Sequence, residues 1–286
     1  MLELDPREYS GVAPLVEKVP FNTLFAQAVL DGKVSGRILV DDATQPATCL
    51  VVHKYGMTLL SGRSSSGSFN AELRSFLKND SLNHGTARWL ICYPDDWKET
   101  LRALLGADLV QPQRVAEEDS EPDRWTSRVV RTERVNFRFD AKSFAGRRDL
   151  PSGFSLKRID SEVYDQIQGS VIPQLFWDSP GDFLRSGVGF SLLMGKRVVS
   201  TCFSSFIIGR QLELGAETRR EYRNRGLSIF PATAMVDHCL ANGYEPVWAC
   251  RKENLPSFKL AEKLGFSPST THPYYSLPTR KATVPG

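Results

Sequence analysis

The stretch LELGAETRREYRNRGLSIFPATAMVDHCL, Leu212 to Leu240, restricts the possible folds of this chain more than any other. It opens as a strand-like run, Leu212 to Thr218, and passes through a polar turn, Arg219 to Arg225. At Gly226 the period changes. Leu227, Phe230, Ala234, Cys239 and Leu240 recur at steps of three to five, the spacing of one buried helix face. A glycine where a strand hands over to a helix lets the backbone come close to a ligand. The unbonded N–H groups of the first helical turn then point at that ligand, with the positive end of the helix dipole behind them. Arg223 and Arg225 add positive charge beside this nest, so the expected occupant is a phosphate or pyrophosphate. The plainer reading is a strand–turn–helix with a solvated basic turn.

Among phosphate loops, GxxxxGK[ST] is missing from the sequence, and a GxGxxG fingerprint needs more glycines than this turn holds. Arg223-Asn224-Arg225-Gly226-Leu227-Ser228 instead resembles the acyl-CoA loop of the GNAT acetyltransferases, [RQ]-x-x-G-x-[GA]. Ser228 departs from it, standing where the family has Gly or Ala; its hydroxyl either crowds the pyrophosphate or donates to it. Downstream, Pro246 to Cys250 reads as a second strand. Asn254 to Leu264 reads as a short helix with Pro256 in its first turn, where proline is tolerated. Asn254 through Ser257 to Leu260-Ala261-Glu262-Lys263-Leu264-Gly265-Phe266 is similar to the family's N-x-x-[SA]-x-x-L-[YA]-E-K-x-G-F run. The resemblance implies an α+β fold with a GNAT-type mixed α/β sheet.

The first half is less explicit. Short helices are expected over Tyr9–Glu17 and Asn22–Leu30, then strands over Gly36–Val40, Ala47–Lys54 and Met57–Ser61. Helix is expected over Asn70–Leu77, strand over Ala87–Tyr93, helix over Asp95–Leu105 and a long strand over Val129–Phe139. Three strands, helix, strand, helix, strand is also the order of a GNAT core. The reading is a degenerate GNAT-like half, residues 1–145, non-catalytic and contributing to the substrate cleft, followed by a catalytic GNAT domain, residues 150–286. Gly62–Ser68 is read as a surface connector, Val115–Arg124 as an acidic excursion, and Asp140–Ser152 as the boundary. Ser191–Met194, Val198–Ile207 and Gln211–Thr218 form a meander, its first hairpin at Gly195-Lys196. Val171–Phe190 reads as an irregular lip carrying Trp177 and Phe183, His272–Leu277 as a last strand, and Pro278–Gly286 as a loose tail.

A net charge of +3 over 286 residues implies no large basic surface, so nucleic acid is not an expected partner. Cys49, Cys92, Cys202, Cys239 and Cys250 are odd in number and lack C-x-x-C spacing, so they read as buried hydrophobes in a reducing compartment, with no metal site. No apolar run approaches the roughly 20 residues of a membrane span. The expectation is a cytoplasmic protein, monomer or homodimer, with no membrane partner.

Acetyl transfer to an amine requires CoA to be held, the thioester carbonyl polarised, the ammonium deprotonated and the thiolate accommodated. Backbone donors can do the polarising. The resemblance puts the cofactor contacts on Ala216, Thr218, Arg223, Asn224, Arg225, Gly226, Leu227, Ser228, Asn254 and Ser257. Glu217 and Glu213, on the strand beside the thioester, are the candidate bases, Glu217 preferred as the nearer to that edge. Many family members carry a tyrosine where this chain has Ala261; here the candidate acids are Tyr274 or Tyr275 on the last strand, or Cys250, with water as the alternative. The implied activity is acetyl-CoA-dependent N-acetylation of a primary amine on a small molecule; a non-catalytic acyl-CoA sensor is the competing reading. The layout also resembles a two-part bacterial GNAT group labelled zwittermicin-A-resistance-type, which would imply acetylating an amine on an aminopolyol antibiotic, hence antibiotic resistance, or on a similar small metabolite.

Overall fold

The computed structural model describes residues 1–78, 88–111, 128–146 and 148–278. The expected acidic excursion at 115–124, Arg147 of the expected boundary and nearly all of the expected tail lie outside the described residues. By internal contacts the chain falls into two units. The first takes Met1–Val135, Arg251–Asn254 and Thr271–Gly286, the second Asn136–Cys250 and Leu255–Thr270.

In the first unit the apolar runs become β1 (Leu2–Glu3), β2 (Gly36–Val40), β3 (Thr48–His53), β4 (Met57–Gly62), β5 (Trp89–Tyr93) and β6 (Leu109–Val110). Two long strands, β7 (Val129–Phe139) and β14 (Phe266–Ser276), contribute the parts that fall in this unit. The sheet order is β1-β2-β3-β4-β5-β14-β7, with β6 beside β7. Helices α1 (Ala13–Glu17) and α2 (Leu24–Leu30) follow a 3-10 turn, Pro6–Val12, and α3 (Gly67–Leu77) and α4 (Trp97–Leu105) come later. Phe69, Leu73 and Phe76 of α3 meet Trp97 and Leu101 of α4 and Tyr275 of β14 in one buried cluster. Burying each such side chain contributes roughly 1.5–3 kcal/mol.

β4 and β5 run parallel and stay paired from Met57↔Trp89 to Ser61↔Tyr93. The Ser-rich loop after β4 is tied down by donors from neighbouring elements: Trp97 Nε1 donates to the Gly62 carbonyl (3.0 Å), Thr48 Oγ1 to that of Arg63 (2.7 Å) and Asn70 Nδ2 to that of Ser64 (2.8 Å). A Cβ on Gly62, whose φ is +102°, would lie 2.2 Å from the Ala47 carbonyl oxygen, so this corner demands glycine.

The second unit holds β8 (Phe154–Arg158), β9 (Gly189–Met194), β10 (Arg197–Ile208), β11 (Gln211–Thr218) and β12 (Glu245–Val247), in the order β12-β11-β10-β9-β8. The hairpin at Gly195-Lys196 forms as expected, with Arg197 opposite Met194. Helix α8 (Ile229–Ala241) lies against β9, β10, β11 and β12. Short helices α5 (Ser161–Gln166), α6 (Pro173–Phe176) and α7 (Pro180–Ser186) precede β9, and α9 (Leu255–Lys263) comes after β13 (Ala249–Arg251). The segment expected to be irregular thus holds two short helices. Each opens on a proline at its first turn, and Ser179 caps α7 by accepting from Asp182 N–H. Phe203 packs on Phe176 and Phe183, which fixes α6 and α7 on that face of the sheet.

Candidate active site

Two parallel strands part in the second unit. β11 and β12 pair through Gln211↔Glu245, Leu212↔Pro246 and Glu213↔Val247, where the register ends. The chain then passes Trp248 into β13, and the Phe137 N–H donates to the Trp248 carbonyl (3.0 Å). A β-bulge in β10 at Ser204–Phe206 lies opposite Leu214 and Glu213, the level at which the strands separate. A bulge adds local twist, which helps turn the edge away from its neighbour.

Antiparallel pairing fixes what the parted edge of β11 displays. The Arg219 N–H donates to the Val199 carbonyl of β10 (3.0 Å), so Arg219, Glu217 and Gly215 face β10 with their backbone groups. Leu214, Ala216 and Thr218 face the other way. Thr218 is already engaged: its N–H donates to Glu217 Oε1 (3.1 Å) and its carbonyl accepts from Arg223 Nε (3.0 Å). Its hydroxyl lies 2.8 Å from that of Ser200. Ala216 is the residue whose amide and carbonyl lie on the edge beyond the last β12 pair.

The turn after β11 is pinned by apolar side chains at both ends. Tyr222 and Leu227 are buried with Leu192 and Val199, and between them Asn224, Arg225 and Gly226 are exposed. Asn224 has φ +63° and Gly226 φ +69°, two left-handed residues with Arg225 between them. Left-handed residues among right-handed ones turn successive N–H groups toward one side, the backbone nest that holds anions. Among the described residues no hydrogen bond takes up the N–H of Asn224, Arg225, Gly226, Leu227 or Ser228. A Cβ built on Gly226 meets no atom within 4 Å. Helix α8 starts just beyond, with Ser228 at the cap position but making no side-chain cap bond.

The two arginines of the turn differ. Arg225 rests its guanidinium 5.5 Å from the Tyr222 ring centroid, and Arg197 stands 5.7 Å from the same ring. Cation–π contact steadies Arg225 without neutralising it. Arg223 turns back to the strand, donating to the Thr218 carbonyl and to Glu217 Oε1 (3.2 Å). Glu217 Oε2 accepts from Ser170 N–H (2.9 Å), Ser170 Oγ (3.2 Å) and Val171 N–H (3.1 Å). Glu213 is 5 % exposed, at the last paired position of β11. Its partner in register, Phe206, packs on Phe176 of α6.

A family model for GNAT acetyltransferases matches residues 13–275. The chain belongs to the GNAT acetyltransferase family. It is similar to the uncharacterized N-acetyltransferase YdfB of Bacillus subtilis (strain 168), 28 % identical over 275 residues, spanning 96 % of this chain and 97 % of that one. Among solved structures it resembles a GCN5-related N-acetyltransferase-like protein of Streptococcus suis, TM-score 0.70 and 24 % identity, covering 95 % of this chain and 98 % of that one. A tandem GNAT protein from the clavulanic acid biosynthesis pathway shares the fold at TM-score 0.60 and 11 % identity, covering 98 % of each chain. The chain is therefore an acyltransferase with a GNAT fold, and the family implies acetyl-CoA as co-substrate.

The remaining expected site residues of this GNAT chain lie as follows. Ser257 accepts a bond from Trp248 Nε1 (3.2 Å) in the second unit. Asn254, whose N–H donates to the Arg251 carbonyl (3.0 Å), is grouped with the first unit. So is Tyr274, 4 % exposed, its ring stacked on Trp89 at 5.3 Å with the Arg134 guanidinium 5.6 Å away. Ala261 is fully buried in α9. His238 of α8 is held below the ordinary imidazole range, first by burial and then by Arg158. Sequence reasoning did not foresee that Ser170 and Val171 bind Glu217, because nothing local marks a contact 46 and 47 residues away. Gly169 belongs to the same contact: at φ +145° a Cβ on it would lie 2.4 Å from Glu217 Cγ.

Proposed function

We propose that the chain is an acetyl-CoA-dependent N-acetyltransferase that acetylates a primary amine of a small molecule by direct attack on the thioester. The observation that carries this reading is the nest of five unbonded N–H groups, Asn224 to Ser228, next to the open edge of β11. A pyrophosphate fits it: the N–H groups are unbonded, Arg225 supplies charge, and Gly226 leaves the approach clear. Ala216 offers the amide for the acyl arm. Acetyl-CoA supplies the activated carbonyl.

The acceptor side is the face of β10 and β11 covered by α5–α7. There Glu213 takes the ammonium proton, directly or through a water. The freed amine forms its N–C bond as the C–S bond breaks, and the proton lost from the new amide nitrogen balances the departing thiolate through solvent. No protein acid is needed in this scheme.

Incubation with acetyl-CoA and a panel of primary amines, read by mass spectrometry, tests it. Acetylated product with stoichiometric CoA release is expected. Tight acetyl-CoA binding with no product from any amine would sink the amine-acetylation scheme.

A further inference from the structure

We infer that Glu217 is a positioning residue whose carboxylate fastens the acceptor-side loop, residues 169–171, to β11 and, through Arg223, to the cofactor turn. The inference rests on the acyl-CoA reading of that turn. Its geometry is a saturated acceptor. Oε2 takes three donors from Ser170 and Val171, and Oε1 takes the Thr218 N–H and Arg223 Nη2. A carboxylate offers about four lone-pair sites, so capturing a substrate proton would require one of these bonds to break. Glu217 also lines a crevice with Ile167, Gln168, Thr201 and Arg219.

Two neighbours reinforce the joint. Gly169 lies so close to the Glu217 side chain that no Cβ fits between them. Arg219 Nη2 donates to the Gln166 carbonyl (2.8 Å), a second tie between the end of α5 and the strand–turn. Arg223 is committed to the same joint, so the first residue of the acyl-CoA loop serves as a strut and Arg225 is left to meet the anion. The acceptor loop and the cofactor turn share one hydrogen-bonded node, and loosening it weakens both substrates' sites together.

Glu217→Gln and Gly169→Ala test this from opposite sides. The amide of the first cannot accept on nitrogen, so it loses either the loop or Arg223. The second leaves the carboxylate intact and displaces it. Bonds to a charged group of this kind correspond to roughly ten- to hundredfold effects each. Both variants should raise the amine KM and the acetyl-CoA Kd by about that factor, preserve the shape of the pH–rate profile, and speed amide exchange at Ser170 and Val171. If Glu217→Gln lowers kcat alone and removes the acid limb while Gly169→Ala behaves as wild type, Glu217 is the base and the inference is wrong. Unchanged exchange at Ser170 and Val171 in Glu217→Gln also overturns it. A wild-type protein that acetylates no amine defeats the proposed function instead, and the exchange measurement still decides the tie.

Discussion

Replacing Gly226 separates the stability of the cofactor turn from its use. In the free protein a Cβ at this position touches nothing within 4 Å, so Gly226→Ala meets no steric clash. What it meets is the backbone: φ is +69°, and an L residue in the left-handed region costs roughly 1–2 kcal/mol. For a chain of this size that is a fall in Tm of roughly 2–3 °C, with the fold retained. Cofactor binding should suffer far more, because the new methyl group stands over donors that a pyrophosphate must reach. Losing two charge-assisted bonds at about 1.5–3 kcal/mol each weakens acetyl-CoA by roughly two to four orders of magnitude. Gly226→Asp should be worse again, since it adds a negative charge at the same place. Calorimetric titration with acetyl-CoA and a thermal melt of each variant supply both numbers. A melt that drops as calculated beside an unchanged acetyl-CoA affinity would show that the anion does not sit on this nest.

Glu213→Gln should lower kcat by roughly 10²–10⁴ at neutral pH with little change in acetyl-CoA affinity; an unaltered pH–rate profile would move proton transfer to an ordered water. All five cysteines are buried, and burial pushes the thiols of Cys49, Cys92 and Cys239 up to about 12. A disulfide reagent at pH 8 should therefore find almost no reactive thiol in the native protein and five after denaturation; fast native labelling would contradict the packing. His238 and His272 are both held below their ordinary 6.5, by burial first. The unfolded chain then binds more protons between the folded and unfolded values, so stability is complete above about pH 6.5 and falls as pH drops below it. Glutamine at both positions should flatten that slope in denaturant titrations at a series of pH values.

Much of the second unit could be read from residue patterns because its signals are local. The meander into the turn, the hairpin at Gly195 and the strand–turn–helix at Gly226 each depend on a few adjacent residues. Errors arose where tertiary context decides. The helix after the turn begins at Ile229 rather than Gly226, since a left-handed glycine cannot belong to it. Leu240, assigned to the buried helix face, is 44 % exposed, while Ala232, Met235 and Val236 are fully buried. The run Pro246–Cys250 is two strands with different partners, which no periodicity reveals. β14 starts at Phe266, six residues before the expected His272, through Ser267–Thr271, too polar to read as strand. Glu213 and Glu217 were identifiable as carboxylates beside the edge. Their different surroundings were not, because Glu217's are set by a loop distant in sequence.

The allocation of β14 has a consequence for biosynthesis. Thr271–Ser276 belongs to the first unit, between β5 and β7, with Tyr275 in its core and the Tyr274 carbonyl bound by Thr132 Oγ1. A ribosome that has released residues 1–135 must add roughly 140 more before that strand exists, on the order of 7–30 s at ordinary elongation rates. Through that interval β5 lacks its neighbour on one side, and an unpaired strand edge recruits other chains. The nascent first unit thus carries an open strand edge until residues 271–276 have been made. Termination before residue 271 would leave the first unit, most of which lies in residues 1–135, without a core strand.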